Sequence, residues 1–166
     1  MSVQTSYDYR IKNGYHGQLG NLITNTVITG TLDQSASASI TPGTGVSIVP
    51  DSTGDRLVLP GVYTQFASIK SFTGISVRDL ANEVVAGDIV YEKGDVFPVL
   101  QEGYIYLEVV AGGDAGAPLK MTDAGIIDTG VAGVGEFQLD AVLHEKTTAA
   151  RIGLVHLRSL QLIKGS

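Results

Sequence analysis

From residue 22 onward, short β-branched runs are cut by Gly, Pro or Gly-Asp breaks at intervals of about eight to twelve residues. The runs between breaks read as strands and the best helical candidates amount to a single turn, so the chain is expected to build its core from short strands. Residues 22–29 end at Gly30, residues 46–49 break at Pro50, and residues 56–59 stop at Pro60 and Gly61. Residues 72–78 alternate apolar and polar side chains, as a strand with one buried face does. Residues 84–91, 96–100, 104–110, 125–130, 135–139 and 151–157 follow, with 104–110 the strongest strand signal. Residues 79–83 and 147–151 offer a single helical turn each at most. Gly14, Gly17, Gly74, Gly87 and Gly103 are read as turn glycines. The expected fold is all-β: a compact antiparallel β-barrel or β-sandwich, jelly roll included, with an extended N-terminal arm. Its expected parts are an arm over residues 1–20, a β domain over 21–158 and a C-terminal tail over 159–166.

The arm is set apart by its lack of any sustained period of two or 3.6 and by glycines at 14, 17 and 20. Fully extended, a segment of that length reaches about 70 Å, well beyond a domain radius of about 15 Å. Tyr7, Tyr9, Arg10, Tyr15, His16 and Gln18 give it the residue types that supply binding hot spots, large in area and able to hydrogen bond. These six are the candidate contacts with a partner or a neighbouring copy. The competing reading makes the segment an irregular edge strand on its own domain.

Charge and composition narrow the function. Of a net charge of −6, residues 1–78 contribute +1, residues 79–146 −10 and residues 147–166 +3. A nucleic-acid binder needs a basic face to displace counterions from phosphates, and most of this chain repels phosphate. No stretch approaches the roughly 18 apolar residues of a membrane helix, and the start, Met-Ser-Val-Gln, has no basic or apolar leader region. With no Cys in the sequence, disulfides, thiolate zinc sites and cysteine nucleophiles are excluded together. His16, His144 and His156 stand at spacings that match no zinc motif, so no metal or other cofactor is expected. His156 alternates with Val155 and Leu157 and belongs on the outer face of the last strand.

The best catalytic match is Asp128-Thr-Gly after two isoleucines, the context of an aspartic protease carboxylate. Such a site needs two facing copies, and here there is one, with 36 residues left after Gly130. An ordinary turn after a strand explains it better. No Gly-x-Ser-x-Gly, phosphate loop or dinucleotide spacing is present. The chain is not expected to be an enzyme.

The order of the pieces resembles the structural cement, or capsid decoration, proteins of tailed bacteriophages. The resemblance starts with Tyr9 and a Gly-x-x-Gly-Gln element at Gly14, Gly17 and Gln18. It continues through Phe72, Gly74, Ile75, Arg78 and Asp79, then Gly87 and Asp88 leading a strand, then Gly103, Tyr104, Ile105, Tyr106 and Leu107. A variable acidic loop and a short strand at 152–157 complete it. Order and spacing over nearly the whole chain carry the likeness, rather than any single motif. The sequence departs from the pattern with Tyr106 in place of a Trp and with nine residues after Leu157.

The resemblance implies a non-enzymatic protein on the outer surface of the virion, made in the host bacterial cytoplasm. It implies binding to the major capsid protein lattice, bridging of neighbouring capsomers and stabilisation of the mature head. It also implies self-association, as a homotrimer first and a dimer second, since closed symmetry is the rule. The alternative is a surface-displayed receptor- or glycan-binding β module, with its site between Asp114 and Asp128 in the acidic, loop-rich middle.

Overall fold

The computed structural model describes residues 14–20, 24–49, 56–65, 69–79 and 89–164. Those residues hold eleven strands and no helix. In chain order they are β1 (Thr26–Leu32), β2 (Gly45–Ile48), β3 (Leu57–Pro60), β4 (Tyr63–Gln65), β5 (Ile69–Ser71) and β6 (Gly74–Ser76). They continue as β7 (Val96–Val109), β8 (Pro118–Thr122), β9 (Ile127–Thr129), β10 (Glu136–Leu143) and β11 (Arg151–Lys164). The all-β expectation holds. Nine strands form one sheet in the order β1-β3-β2-β6-β7-β11-β10-β8-β9, and β4 and β5 pair separately.

Because β1 also pairs with β7, the strands β1, β3, β2, β6 and β7 close into a ring of five. An odd ring cannot alternate direction at every step, so at least one pair must run parallel. That pair is β1–β3, with Thr31 opposite Leu57 and Leu32 opposite Val58; the other four are antiparallel. The expected antiparallel β architecture holds for every other pair, and this one parallel pair has its reason in topology rather than propensity. Leu32, Val46, Val58, Phe97 and Val99 from these strands fill the ring, joined by Ala36, Ile40, Ile89 and Tyr91.

The second half of β7 begins another curl, β7-β11-β10-β8-β9, all antiparallel. Side chains of β9 close it back onto the chain just after β7: the Ala111 N–H donates to Asp128 Oδ1 at 3.2 Å, and Thr129 Oγ1 donates to the Gly112 carbonyl. Ile105, Leu107, Val109, Leu119, Met121, Leu139, Leu143, Val155 and Leu157 are among the residues of this second core. One sheet thus serves two cores with β7 common to both.

The sharing of β7 requires a change of face along its 14 residues. Phe97 and Val99 point into the first core, whereas their neighbour Leu100 points into the second. Side chains alternate strictly along a strand, so Leu100 and Ile105, five apart, would otherwise face opposite ways. A β-bulge resolves this: Thr26 pairs with Glu102 but Val27 with Leu100, which leaves Gln101 unpaired. Gly103 follows with φ of 129°, and a Cβ there would lie 2.1 Å from Asn25 Oδ1. Only glycine suits both the backbone and the approach. It is therefore a close-approach glycine inside a strand and not a turn glycine. Gly74 is likewise inside a strand, at the start of β6.

A tail beginning at 159 is not what the chain forms, since β11 runs on to Lys164, opposite Phe137 of β10. Between Leu139 and Ala141 the partner on β11 jumps from Leu162 to Leu157, and Ser159 Oγ donates to Asp140 Oδ2 at 2.7 Å within that irregularity. The bulge shifts parity, so Leu160 and Leu162 reach the second core from even positions after Val155 and Leu157 reach it from odd ones.

Tyr91 is fully buried and stacks on Phe97 with ring centroids 4.5 Å apart. Its hydroxyl donates to the Val77 carbonyl at 2.5 Å and accepts from the Asp79 N–H at 2.9 Å. Burial raises its phenol above the ordinary value. Tyr91→Phe keeps the stack but orphans both backbone groups, so urea unfolding should show a loss of about 1–3 kcal/mol. A loss below about 0.5 kcal/mol would mean that these two bonds contribute little.

Candidate functional site: the seat of the N-terminal segment

The second half of β7 has β11 on one edge, with Ile105 opposite Val155. Its other edge carries the N–H and C=O groups of Tyr104, Tyr106 and Glu108, because backbone polarity alternates along a strand. Residues 14–20 and Asn25 meet those groups in turn. The Gly17 and Gly20 N–H groups donate to the Tyr106 and Tyr104 carbonyls at 2.7 and 2.8 Å, and the Tyr106 N–H donates to the Gln18 carbonyl at 2.8 Å. At the two ends side chains stand in for backbone: Tyr104 N–H donates to Asn25 Oδ1 and Glu108 N–H to His16 Nδ1, both at 2.8 Å. Five rungs thus satisfy all three donors and the Tyr104 and Tyr106 carbonyls on this edge, two of the rungs being side-chain mimics of a strand.

The Gly-x-x-Gly-Gln element is the device that makes the seat. Gly14 lies under the Tyr106 ring, where a Cβ would come within 2.3 Å of Cδ2. Gly17 takes φ of 77° within a tight turn, and Gln18 closes that turn twice. Its N–H donates to the Tyr15 carbonyl at 2.9 Å, and its Oε1 accepts from the Tyr15 N–H at 2.9 Å. The Gly17 carbonyl accepts from the Arg78 N–H at 2.7 Å, which ties the turn to the strand end after β6.

The turn brings Tyr15, His16 and Gln18 together on one surface. Tyr15 is 65% exposed, with the Arg78 guanidinium 4.8 Å from its ring centroid. Beside it lies a cleft of about 310 Å³ lined by Tyr15, Gln18, Leu19, Val77 and Arg78. His16 lines two further clefts, one of about 180 Å³ that includes the exposed Val110 and Ile126 and one of about 260 Å³ that includes Arg78 and Glu108. The result is a partly apolar surface with a cation held against an aromatic ring, suited to a protein partner rather than to chemistry on a substrate.

Tyr7, Tyr9, Arg10 and Gly87 lie outside the described residues. Asn25 and Arg78 were missed as members of the site: an Asn before a strand and an Arg after one carry no signal of what they will touch. Asp128 lies within β9 and not in the expected turn, and its Oδ1 accepts from Thr129 N–H at 2.8 Å and from Ala111 N–H at 3.2 Å. Asp114 is paired with Lys146 at 2.8 Å on the open surface, which holds its carboxyl below the usual range. His156 is half-buried on the outside of β11, stacked 4.3 Å from the Tyr104 ring, while Val155 and Leu157 are fully buried. Among the described residues no group of three or more His, Asp or Glu is placed to hold a metal.

Asn25 also donates from Nδ2 to the Gly20 carbonyl at 3.1 Å, so it links the seated segment to β7. Asn25→Ala should cost about 1–3 kcal/mol in urea unfolding, and Asn25→Asp, which keeps the acceptor for Tyr104, should cost less. Equal losses for the two variants would contradict the acceptor role.

The comparisons with known proteins agree in one direction. Residues 3–159 match the family model described as structural cement protein (E217 gp24/Pam3 gp6). No curated protein matches the chain. Among solved structures it is similar to a chain of "The capsid of Myoviridae Phage XM1", at 18% identity and a TM-score of 0.64, over 97% of this chain and 100% of that one. The identity is low enough that this second likeness speaks for the fold alone. The family model spans nearly the entire sequence, the seat and both cores included: the chain belongs to the structural cement protein family.

Proposed function

We propose that the protein decorates the outer surface of a phage head, binding the major capsid protein lattice and bridging neighbouring capsomers in the mature shell. The family match over residues 3–159 carries this reading, and the shared fold with a chain of a phage capsid supports it. It acts by binding, without catalysis or cofactor, on the virion after synthesis in the bacterial cytoplasm. A homotrimer is the proposed form and a dimer the second choice. A symmetric oligomer touching several capsomers gains avidity from effective concentration without any single strong contact. Each such bridge must break before the capsomers part.

The contacts are assigned to the arm, Tyr7, Tyr9 and Arg10, and to its seated base, Tyr15, His16 and Gln18. Tyr15 supports the assignment best, since a large aromatic 65% exposed beside Arg78 has the make-up of an anchor. The receptor- or glycan-binding alternative is not favoured by the family, and the two ends of its proposed site are engaged by Lys146 and by local backbone.

Purified protein co-sedimented with undecorated mature capsids should saturate at a fixed copy number per shell. Absence of binding by folded protein to mature and immature shells alike would remove the reading. Tyr15→Ala should weaken decoration by about 30-fold, a hot-spot loss of about 2 kcal/mol. Its unfolding free energy in urea should stay within about 0.5 kcal/mol of the parent. Deletion of residues 2–13 should leave a folded domain that no longer decorates shells. Deletion of residues 2–20 should also destabilise the domain, because it uncovers the edge of β7. Full occupancy by the shorter truncation would remove the arm from the contact.

A further inference from the structure

We propose that His16 is a proton-operated latch that holds residues 14–20 on β7 at neutral pH and loosens them on acidification. The inference goes beyond the decoration reading and stands whatever the arm binds.

The geometry fixes the protonation state of the seated ring. Glu108 N–H donates to His16 Nδ1 at 2.8 Å, and a backbone amide cannot do otherwise than donate. Nδ1 must therefore present a lone pair, which only the neutral imidazole with its proton on Nε2 provides. The imidazolium ion carries N–H groups at both nitrogens. Placing a second proton on Nδ1 would set one N–H directly against another and abolish the outermost rung of the edge. The ring lies over Gly43, where a Cβ would come within 2.3 Å of Nε2, so only glycine at that position admits the seated ring. The turn beneath is equally confined, with Gly17 against Pro42, where a Cβ would lie 2.3 Å from the Pro42 Cβ. Protonation therefore removes the rung that His16 contributes to the seated segment.

Two charged side chains share the clefts that His16 lines, Glu108 of β7 and Arg78 from the end of β6. The carboxylate favours the imidazolium and the guanidinium opposes it, so both tune where the change falls. The sign follows from proton counting. The seated form excludes a proton that the released form accepts, so seating is strongest above the ordinary imidazole range, about pH 6.5, and weakens as pH falls through it. No ordinary carboxylate titrates in that window, which leaves histidines as the responsible groups.

The test is amide hydrogen exchange of the full chain at about pH 7.5 and about pH 5.5, corrected for intrinsic exchange. Protection of the Glu108, Tyr106, Gly17 and Gly20 amides should fall by about five-fold at the lower pH, the worth of one lost rung. His16→Gln should abolish this difference, while His144→Gln and His156→Gln should retain it. A nitrogen-15 spectrum of the unaltered protein's imidazoles gives a second reading that needs no variant: His16 Nδ1 should be an unprotonated acceptor at the higher pH and protonated at the lower. Equal protection at the two pH values, a pH effect that survives in His16→Gln, or a protonated Nδ1 at the higher pH would each overturn the proposal.

Discussion

A strand of 14 residues that lies between two cores has to satisfy its backbone on both edges along its whole length, and this demand on β7 organises the molecule. β1 and β6 serve its first half, β11 serves one edge of its second half, and residues 14–20 serve the other. An unpaired N–H in such a position is costly, and an unpaired edge is also a template for unwanted strand pairing. Asn25 and His16 extend the seated segment by one rung at either end, with side-chain acceptors where no strand carbonyl reaches. The N-terminal segment is therefore part of the fold at its base.

That arrangement bears directly on how a cement protein would work. A contact surface for a shell under internal pressure gains from rigid anchorage, because mobile contacts lose entropy on binding. Seating residues 14–20 by backbone rungs fixes Tyr15 against Arg78. Two acids of residues 79–146 are neutralised locally, Asp114 by Lys146 at the exposed surface and Glu136 by Lys120 at 2.9 Å in a half-buried pair, so the net −10 is carried by the other acidic side chains. The exposed Asp114–Lys146 pair is of small energetic weight.

Much of this was legible in the residues themselves. Glycine and proline spacing gave the strand content, residues 104–110 were legible as the strongest strand, and the order of motifs gave the family. The one buried face expected of residues 72–78 is not found, since 72–77 are buried throughout, Thr73 and Ser76 included. Other features could not be read, each for a physical reason. The parallel β1–β3 pair arises from closing an odd ring, a property of the whole circuit that no local run encodes. Gly103 serves a close backbone approach inside a strand, and the same letter serves a turn. Residues 159–164 continue β11 after a bulge that shifts alternation by one, so their apolar positions fall out of phase with those before it. Asn25 and His16 act by imitating a carbonyl in a ladder, and that role depends on where the partner strand arrives.

The most direct test is a cryo-electron microscopy map of decorated heads at side-chain resolution. The account predicts density for residues 14–20 lying along β7 of their own subunit, with Tyr15 and Arg78 turned toward the major capsid protein or a neighbouring copy. A map in which this surface faces open solvent, while the shell is contacted only from elsewhere on the two cores, would contradict it.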